Sequence, residues 1–224
     1  MAVSTYLPEK YFSVDVECVA TGRRHDERSV ASVAVVDKDE KVLLKAKVKQ
    51  DNPVFNYLTP LTGLHPGDLD DGEQLDDVIR EVKALFGPDV VLVGQGIPSD
   101  IKWLKLEEKG DFKSSVDLGE MFKTYNPRYD NYSYFSLSHE VNTLIRSGMI
   151  SGQHDPVVDA IASIQLFKWY YNNPALLNQA KQKLLHNRPP TSWKKRINYN
   201  YEGVCMAAYL PEKCFCGAPT LKNT

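Results

Sequence analysis

YFSVDVEC, Tyr11 to Cys18, alternates side-chain character with the two-residue period of a β-strand. Side chains two apart share a face, so Asp15 and Glu17 project together while Val14 and Val16 project to the other side. One face therefore belongs to a core and the other carries two carboxylates. Carboxylates held side by side repel, which raises the cost of ionising both. A hard divalent cation, Mg2+ or Mn2+, relieves that cost by taking oxygen ligands from the pair. An edge strand with a solvated polar face would alternate in the same way, so the pair acquires meaning only with partners further along the chain.

Two further apolar, β-branched runs lie downstream, Val30 to Val36 (VASVAVV) and Val42 to Val48 (VLLKAKV), parted by the polar turn DKDE. The three segments read as an antiparallel meander. Pro53, Pro60, Gly63, Pro66 and Gly67 make the stretch from Asn52 to Asp71 a loop. Leu75, Val78, Ile79, Val82, Leu85 and Phe86 then fall on one helical face, and Gly87-Pro88 stops the helix. Val90 to Val93 (VVLV) is a short, fully apolar strand of the kind found inside a sheet. Ser99 is expected to cap a helix running through Trp103 and Leu106. Ser114 to Leu118 reads as a strand, Lys123 to Tyr134 as a loop, and Leu137, Val141, Leu144 and Ile145 as a helix starting near Ser136. After a loop over Gly148 to Gln153, a long helix is expected from Asp155 to Tyr171. Pro156 sits in its first turn, and Val158, Ile161, Ile164 and Phe167 are its core contacts. Ala175 to Leu185 gives one more helix, and from about His186 no period is visible and an extended tail is expected. Strands first, then alternating helices and short strands, give an α/β fold with one mixed sheet flanked by helices.

Two more pieces of chemistry sit on that frame. Asp100 comes after the VVLV strand and a Gly-Gln-Gly turn at the start of a helix, and ends of central strands favour sites in α/β sheets. A first-turn Asp is also favoured by the helix dipole alone. In Gln153-His-Asp-Pro-Val-Val-Asp-Ala160, Asp159 lies on the long helix where it can face the sheet, and Asp155 is placed to cap that helix. His154 precedes the helix on a flexible Ser-Gly-Gln lead-in, where a base beside a metal ligand suits activation of water.

The ordered set D-x-E, an Asp after an apolar strand and Gly turn, then H-x(4)-D, resembles the DEDDh exonucleases of the DnaQ-like superfamily over roughly residues 10–171. DVECVATG and Leu61-Thr-Gly-Leu-His-Pro66 are similar to the Rex-type RNA exonuclease branch, which includes the interferon-stimulated exonuclease. The resemblance implies an RNase H-like sheet, an antiparallel meander joined to parallel strands, and a metal-dependent 3′–5′ exonuclease that releases nucleoside 5′-monophosphates. It also implies two Mg2+ or Mn2+ ions. Asp15 would bridge both, Glu17 and Asp159 would complete one, Asp100 would hold the other, and His154 would be the general base. By the same resemblance Cys18, Val19, Ala20 and Thr21 contact the terminal sugar and phosphate, and Leu64 and His65 pack against the last base. Leu64 could equally be a loop anchor. Gln95 stands where a His is common, and Pro156 where a small residue is common, so substrate preference is the property these departures touch. Expected partners are single-stranded RNA or DNA 3′ ends. A non-cleaving binding module and an RNase H-like endonuclease are the competing readings.

A formal net charge of −2 over 224 residues does not announce a nucleic-acid binder, so any polyanion site must come from metal and local patches. Lys102, Lys105, Lys109 and Lys113 read as a solvated helix face. The tyrosines of YNPRYDNYSYF, Tyr125 to Phe135, could stack unpaired bases or pack on the domain, with packing favoured for Phe135. The exonuclease domain is expected over residues 8–186 and a C-terminal extension over 187–224. There, Cys214-Phe-Cys-Gly217 resembles the opening of a GRF-type zinc finger, with Cys214 and Cys216 as candidate Zn2+ ligands and Cys205 as a distant third. Free thiols are the alternative. MAVSTYLPEK lacks the apolar core of a signal peptide, no run approaches the ~20 apolar residues of a membrane helix, and cysteines clustered near one end do not form a disulfide framework. An intracellular protein of the nucleus or cytoplasm is expected, with no membrane association.

Overall fold

The computed structural model describes residues 7–148, 150, 152–189 and 191–220. Residues 1–6, the first part of the stretch without a signal-peptide core, and Ser151 of the lead-in to the long helix lie outside them. Strands β1 (Tyr11–Ala20), β2 (Arg28–Asp37) and β3 (Val42–Lys47) form the expected meander. Its second turn is held by Asp37, whose Oδ1 accepts from the backbone N–H groups of Asp39 and Lys41, each at 2.9 Å. A parallel neighbour needs a crossover. The chain supplies one through α1 (Thr59–Thr62) and α2 (Leu75–Leu85) before β4 (Val91–Gly94) pairs with β1. Helix α3 (Pro98–Trp103) then leads to β5 (Ser114–Asp117), parallel to β4. The order β3-β2-β1-β4-β5 makes β1 the central strand.

The two faces of β1 divide the core as its alternation requires. Val14 packs with Val33, Val35, Leu92, Val78 and Val82 under α2 and α3. Tyr11 packs with Val91, Val93, Phe122 and Phe167 on the other face. That face is covered by α4 (Leu118–Phe122), α5 (Leu137–Leu144), α6 (Pro156–Tyr170) and α7 (Pro174–His186). Asp15 and Glu17 share the Tyr11 face, so they project toward α6. Asp155 caps α6, its carboxylate accepting from Val157 and Val158 N–H, and Ser136 caps α5. Among the described residues, no helix is long and apolar enough to cross a membrane.

Four local expectations change. Ser99 does not cap α3: the helix begins at Pro98, whose fixed φ and missing N–H suit a first turn, and it ends before Leu106. Val158 is exposed rather than a core contact, because α6 is wedged between sheet and helices and buries Asp159, Ala160, Ser163, Leu166 and Phe167 instead. Lys123 to Tyr134 is not all loop. It holds a hairpin of β6 (Thr124–Asn126) and β7 (Asn131–Ser133), turned by Asp130 in the left-handed region at φ 48°. Tyr125, Tyr129 and Tyr132 remain exposed there, while Phe135 packs against the α5–α6 core. The tail is not extended either. It forms α8 (Trp193–Arg196), a hairpin of β8 (Asn200–Tyr201) and β9 (Val204–Cys205), and a 3-10 turn at Pro211–Lys213. Glu202 and Gly203, both at positive φ (48° and 83°), close that hairpin as a two-residue turn. Val204 and Met206 pack on Ala20 and Leu58 of the body.

Glu140 of α5 is fully buried, and neither carboxyl oxygen has a hydrogen-bond partner. Burial, then the nearby Asp117, hold its pKa well above the ordinary carboxylate range. Its neighbour Gln95 donates from Nε2 to Phe135 O at 2.8 Å, which leaves a buried Oε1 without a donor. The Gln95 side chain opposes the upward shift of Glu140 without overcoming the effect of burial. The stability contributed by the neutral form is complete below the ordinary Glu pKa and is lost as pH rises through the raised folded value. Glu140→Gln keeps the neutral shape at every pH. It should raise the melting temperature at pH 8 by a few degrees, at ~2–4 °C per kcal/mol, with the gain vanishing near pH 4. A destabilised variant at pH 8 would contradict the assignment.

Candidate active site

β1 presents Asp15 and Glu17 at the end where its register with β2 slips by one residue between Glu17 and Cys18. β4 ends beside them at Gly94, where a Cβ would stand 2.9 Å from Ile97 Cδ1 and 3.3 Å from Val14 O. That close turn swings α3 over the strand ends and delivers Asp100, which is buried, against β1. The Val16 backbone hydrogen-bonds to its carboxyl. From the opposite side α6 lowers Asp159, also buried, onto the same spot. His154 Nδ1 lies 2.9 Å from Asp159 Oδ2 and 3.7 Å from Glu17 Oε1. The structure thus brings all of Asp15, Glu17, Asp100, His154 and Asp159 to one place.

The electrostatics of that place are those of an acid cluster short of positive charge. Burial first, then Asp100, Glu17 and Asp159, hold Asp15 well above the usual carboxylate range. Burial does the same to Asp100, opposed by the Val16 backbone. Glu17 is pushed up to about 7 by burial, with His154 pulling the other way. His154 is raised by its hydrogen bond to Asp159, against its own desolvation. Asp15 Oδ2 and Asp159 Oδ1 are buried with no hydrogen-bond partner. Unpartnered carboxylate oxygens from separate elements, converging in a hard-oxygen set, fit a divalent cation such as Mg2+ or Mn2+.

The other candidates fall at different depths. Cys18 is half-buried, and burial raises its thiol pKa. Val19 and Ala20 are fully buried. Val19 packs with Leu64 and Leu69, so Leu64 anchors its loop through a side chain that is itself buried. Ala20 N donates to Asn56 O at 2.9 Å and Thr21 N to Glu27 O at 3.1 Å, so these amides already have partners. His65 is exposed beside Asp68. Gln95 faces the protein interior rather than the acid cluster. Lys102, Lys105, Lys109 and Lys113 are all exposed, but only Lys102 lies on α3, so they do not form one helix face; Lys105 pairs with Asp76 at 3.0 Å.

His154 is less free than its lead-in suggests: its backbone N–H donates to Leu61 O at 2.6 Å, and Gln153 Nε2 donates to Thr59 O at 3.3 Å. Lys194 belongs to the WKKR run, Trp193 to Arg196, which reads in the sequence as a basic strip or as a tail that docks on the domain. The exposed α8 places it near enough to Glu17 and His154 to favour the carboxylate and disfavour the imidazolium. WKKR marks a basic turn but not where it docks. Cys214 and Cys216 lie apart from the carboxylates, gathered with Cys205 around His25, a residue that nothing in the spacing singles out.

The sequence profile of the RNase T exonuclease family matches residues 12–167. RNA exonuclease 4 of Cryptococcus neoformans is 30% identical over 165 residues, covering 72% of this chain and 38% of that protein. Human RNA exonuclease 4 is 33% identical over 155 residues, covering 69% and 36%. Small RNA degrading nuclease 3 of Arabidopsis thaliana is 28% identical over 164 residues, covering 70% and 19%. This chain therefore spans less than two fifths of the length of these curated relatives. In fold it is similar to the Pan2 pseudoubiquitin hydrolase-RNA exonuclease module of Saccharomyces cerevisiae, solved with an A7 RNA. The TM-score is 0.66 at 20% identity, over 82% of this chain and 33% of that one.

Proposed function

Because this chain belongs to the RNase T family of exonucleases, we propose that it removes nucleotides from the 3′ end of single-stranded nucleic acid, RNA before DNA, as nucleoside 5′-monophosphates. The observation that carries the reading is the meeting of Asp15, Glu17, Asp100 and Asp159 with His154, from strand, helix and loop, with two buried carboxylate oxygens unpartnered. Relatives bearing the names RNA exonuclease and small RNA degrading nuclease favour RNA as the substrate.

In this reading the four carboxylates hold two divalent ions, Mg2+ or Mn2+. When bound, the ions lower the pKa of the attacking water and stabilise the leaving 3′ oxygen. Asp15, set among Asp100, Glu17 and Asp159, would be a ligand of those ions together with its three neighbours. Asp159 also orients the base. An ionised carboxylate only accepts, so His154 Nδ1 carries the proton of their 2.9 Å contact and Nε2 is left to take a proton from water. Half-buried Cys18 and Thr21 would line the approach of the terminal sugar and phosphate and exposed His65 that of the last base, while buried Val19, Ala20 and Leu64 hold those segments in place. Lys194 adds positive charge at the rim.

A 5′-labelled single-stranded RNA incubated with the protein and Mg2+ or Mn2+ tests the reading. The expected result is a ladder shortened from the 3′ end, with 5′-monophosphates as the small product and slower loss of the matched DNA. Binding without cleavage would make the chain a non-cleaving module. Cleavage of a circular RNA, which offers no end, would make it an endonuclease.

A further inference from the structure

We propose that His25, Cys205, Cys214 and Cys216 hold a zinc ion that fastens the C-terminal segment onto the nuclease body. The four come from distant parts of the chain. His25 lies in the 21–27 loop between β1 and β2, Cys205 in β9, and Cys214 and Cys216 beyond the 3-10 turn. Their ligand atoms nonetheless lie within 4.8 Å of one another. His25 Nδ1 stands 3.7 Å from Cys205 Sγ, 3.7 Å from Cys214 Sγ and 3.2 Å from Cys216 Sγ, and the two last sulfurs are 3.6 Å apart. A tetrahedron of zinc bonds (~2.3 Å to sulfur, ~2.0 Å to nitrogen) has edges of about 3.8 Å between sulfurs and about 3.5 Å between sulfur and nitrogen. The observed spacings are those of its vertices.

The chemistry of the set selects the metal. Three thiols and an imidazole, with no oxygen ligand, suit zinc and not the hard cations of the acid cluster. Three cysteines and one histidine fill a tetrahedron, which is a closed structural site rather than one that keeps a position for water. His25 is prepared for the part. Its Nε2 donates to Pro219 O at 3.0 Å, so the lone pair is on Nδ1, the nitrogen that faces the sulfurs. This set replaces the finger-like reading of Cys214 and Cys216: the fourth ligand belongs to the nuclease body itself.

The segment has reason to need a staple. Its α8, β8–β9 hairpin and 3-10 turn are too short to build a core of their own, and structural zinc supplies folding free energy directly. The ion would sit where the segment meets the body. Cys205 N donates to Arg23 O at 2.8 Å, and Arg28 donates to Cys205 O at 2.9 Å. The same segment carries Lys194 to Glu17 and His154, so the staple sets the rim of the acid cluster. That last consequence rests on the exonuclease reading; the metal itself does not.

Metal analysis of the full chain, purified without added zinc and dialysed against Mg2+ buffer, should find about one zinc per chain. The zinc should persist in Asp15→Asn and be lost in Cys216→Ser and His25→Ala. Replacing it with Co2+ should give the intense visible bands of a tetrahedral thiolate site. Should the variants fold poorly, the unaltered protein still decides the matter. Cys205, Cys214 and Cys216 should resist iodoacetamide until a strong chelator is added, while Cys18 is unaffected by the chelator. No bound zinc, zinc lost in Asp15→Asn but kept in Cys216→Ser, a disulfide between these cysteines in the isolated protein, or alkylation indifferent to chelator would each overturn the proposal. None of these readouts depends on cleavage, so an inactive protein with stoichiometric zinc would sink only the nuclease assignment.

Discussion

Asp15→Asn should lose turnover on single-stranded RNA by about 1000-fold or more and, at pH 8 in buffer free of Mg2+ and Mn2+, melt at a higher temperature than the unaltered protein. The first effect comes from the place of Asp15 among the carboxylates that would hold the metal: several kcal/mol of metal-borne charge stabilisation would depend on it, and ~4 kcal/mol is a factor of about 1000 in rate. The second comes from the same carboxylates considered without their cation. Burial and the neighbouring Asp100, Glu17 and Asp159 raise the Asp15 pKa in the fold. A raised folded pKa means that stability is complete below the ordinary Asp value and falls as pH rises through the folded one. The Asn side chain escapes that loss. The gain in melting temperature should therefore fade toward pH ~3, where Asp15 is protonated in the fold and largely so in the unfolded chain. Adding Mg2+ or Mn2+ should reverse the order, since only the intact cluster binds it well. Thermal melts of both proteins across pH, with and without metal, read the whole pattern. Retained cleavage, or a less stable variant at pH 8 without Mg2+ or Mn2+, would refute the role given to Asp15.

Phe167→Ala should cost about 3–5 kcal/mol, the range for emptying a well-packed aromatic site. Phe167 is fully buried on α6, with its ring centroid 5.0 Å from that of Tyr11 on β1 and 4.4 Å from that of Tyr171. At ~2–4 °C per kcal/mol for a chain of this size, the melting temperature should fall by on the order of 10 °C. Val158→Ala on the exposed face of the same helix is the control and should move it by ~1 °C or less. Phe167 belongs to the apolar core and not to the acid cluster, but α6 holds Asp159 against β1, so the loss is one of the scaffold. A shift no larger than the control's would mean that α6 is not seated on the sheet as described.

The regular parts of the fold were legible because their periods were unbroken. The alternation of β1 placed Asp15 and Glu17 on one face, and the apolar runs around Val33 and Leu92 placed its neighbours. Where packing overrode period, reading failed. Helix α6 has apolar and small residues almost all round, and burial on three sides, not a stripe, decides that Val158 is exposed and Ser163 is not. The acid cluster was legible through the order of its motifs, since each carboxylate sits at a nameable place on strand, turn or helix. The cysteine cluster was half legible. Cys214 and Cys216 announce themselves by adjacency, but His25 stands 180 residues from Cys205 and only the folded chain brings them together. The place of Lys194 beside the acid cluster was hidden for the same reason. The tail hairpin was readable in principle from Glu202-Gly203, a pair suited to a tight turn between short strands.

The 2.6 Å hydrogen bond from His154 N–H to Leu61 O ties the imidazole-bearing residue to the short helix that precedes Leu64 and His65. Gly63, at φ 70°, brings that helix end so close to Gln153 that an added Cβ would stand 3.1 Å from Gln153 Oε1. The proposed base and the proposed nucleotide wall are thus tied into one mechanical piece. In the proposed reaction a chain end that seats badly against the wall also drags the imidazole off its line to water. Such an enzyme grades its substrates by how fast it turns them over, not by how tightly it grips them, and fidelity becomes a matter of timing.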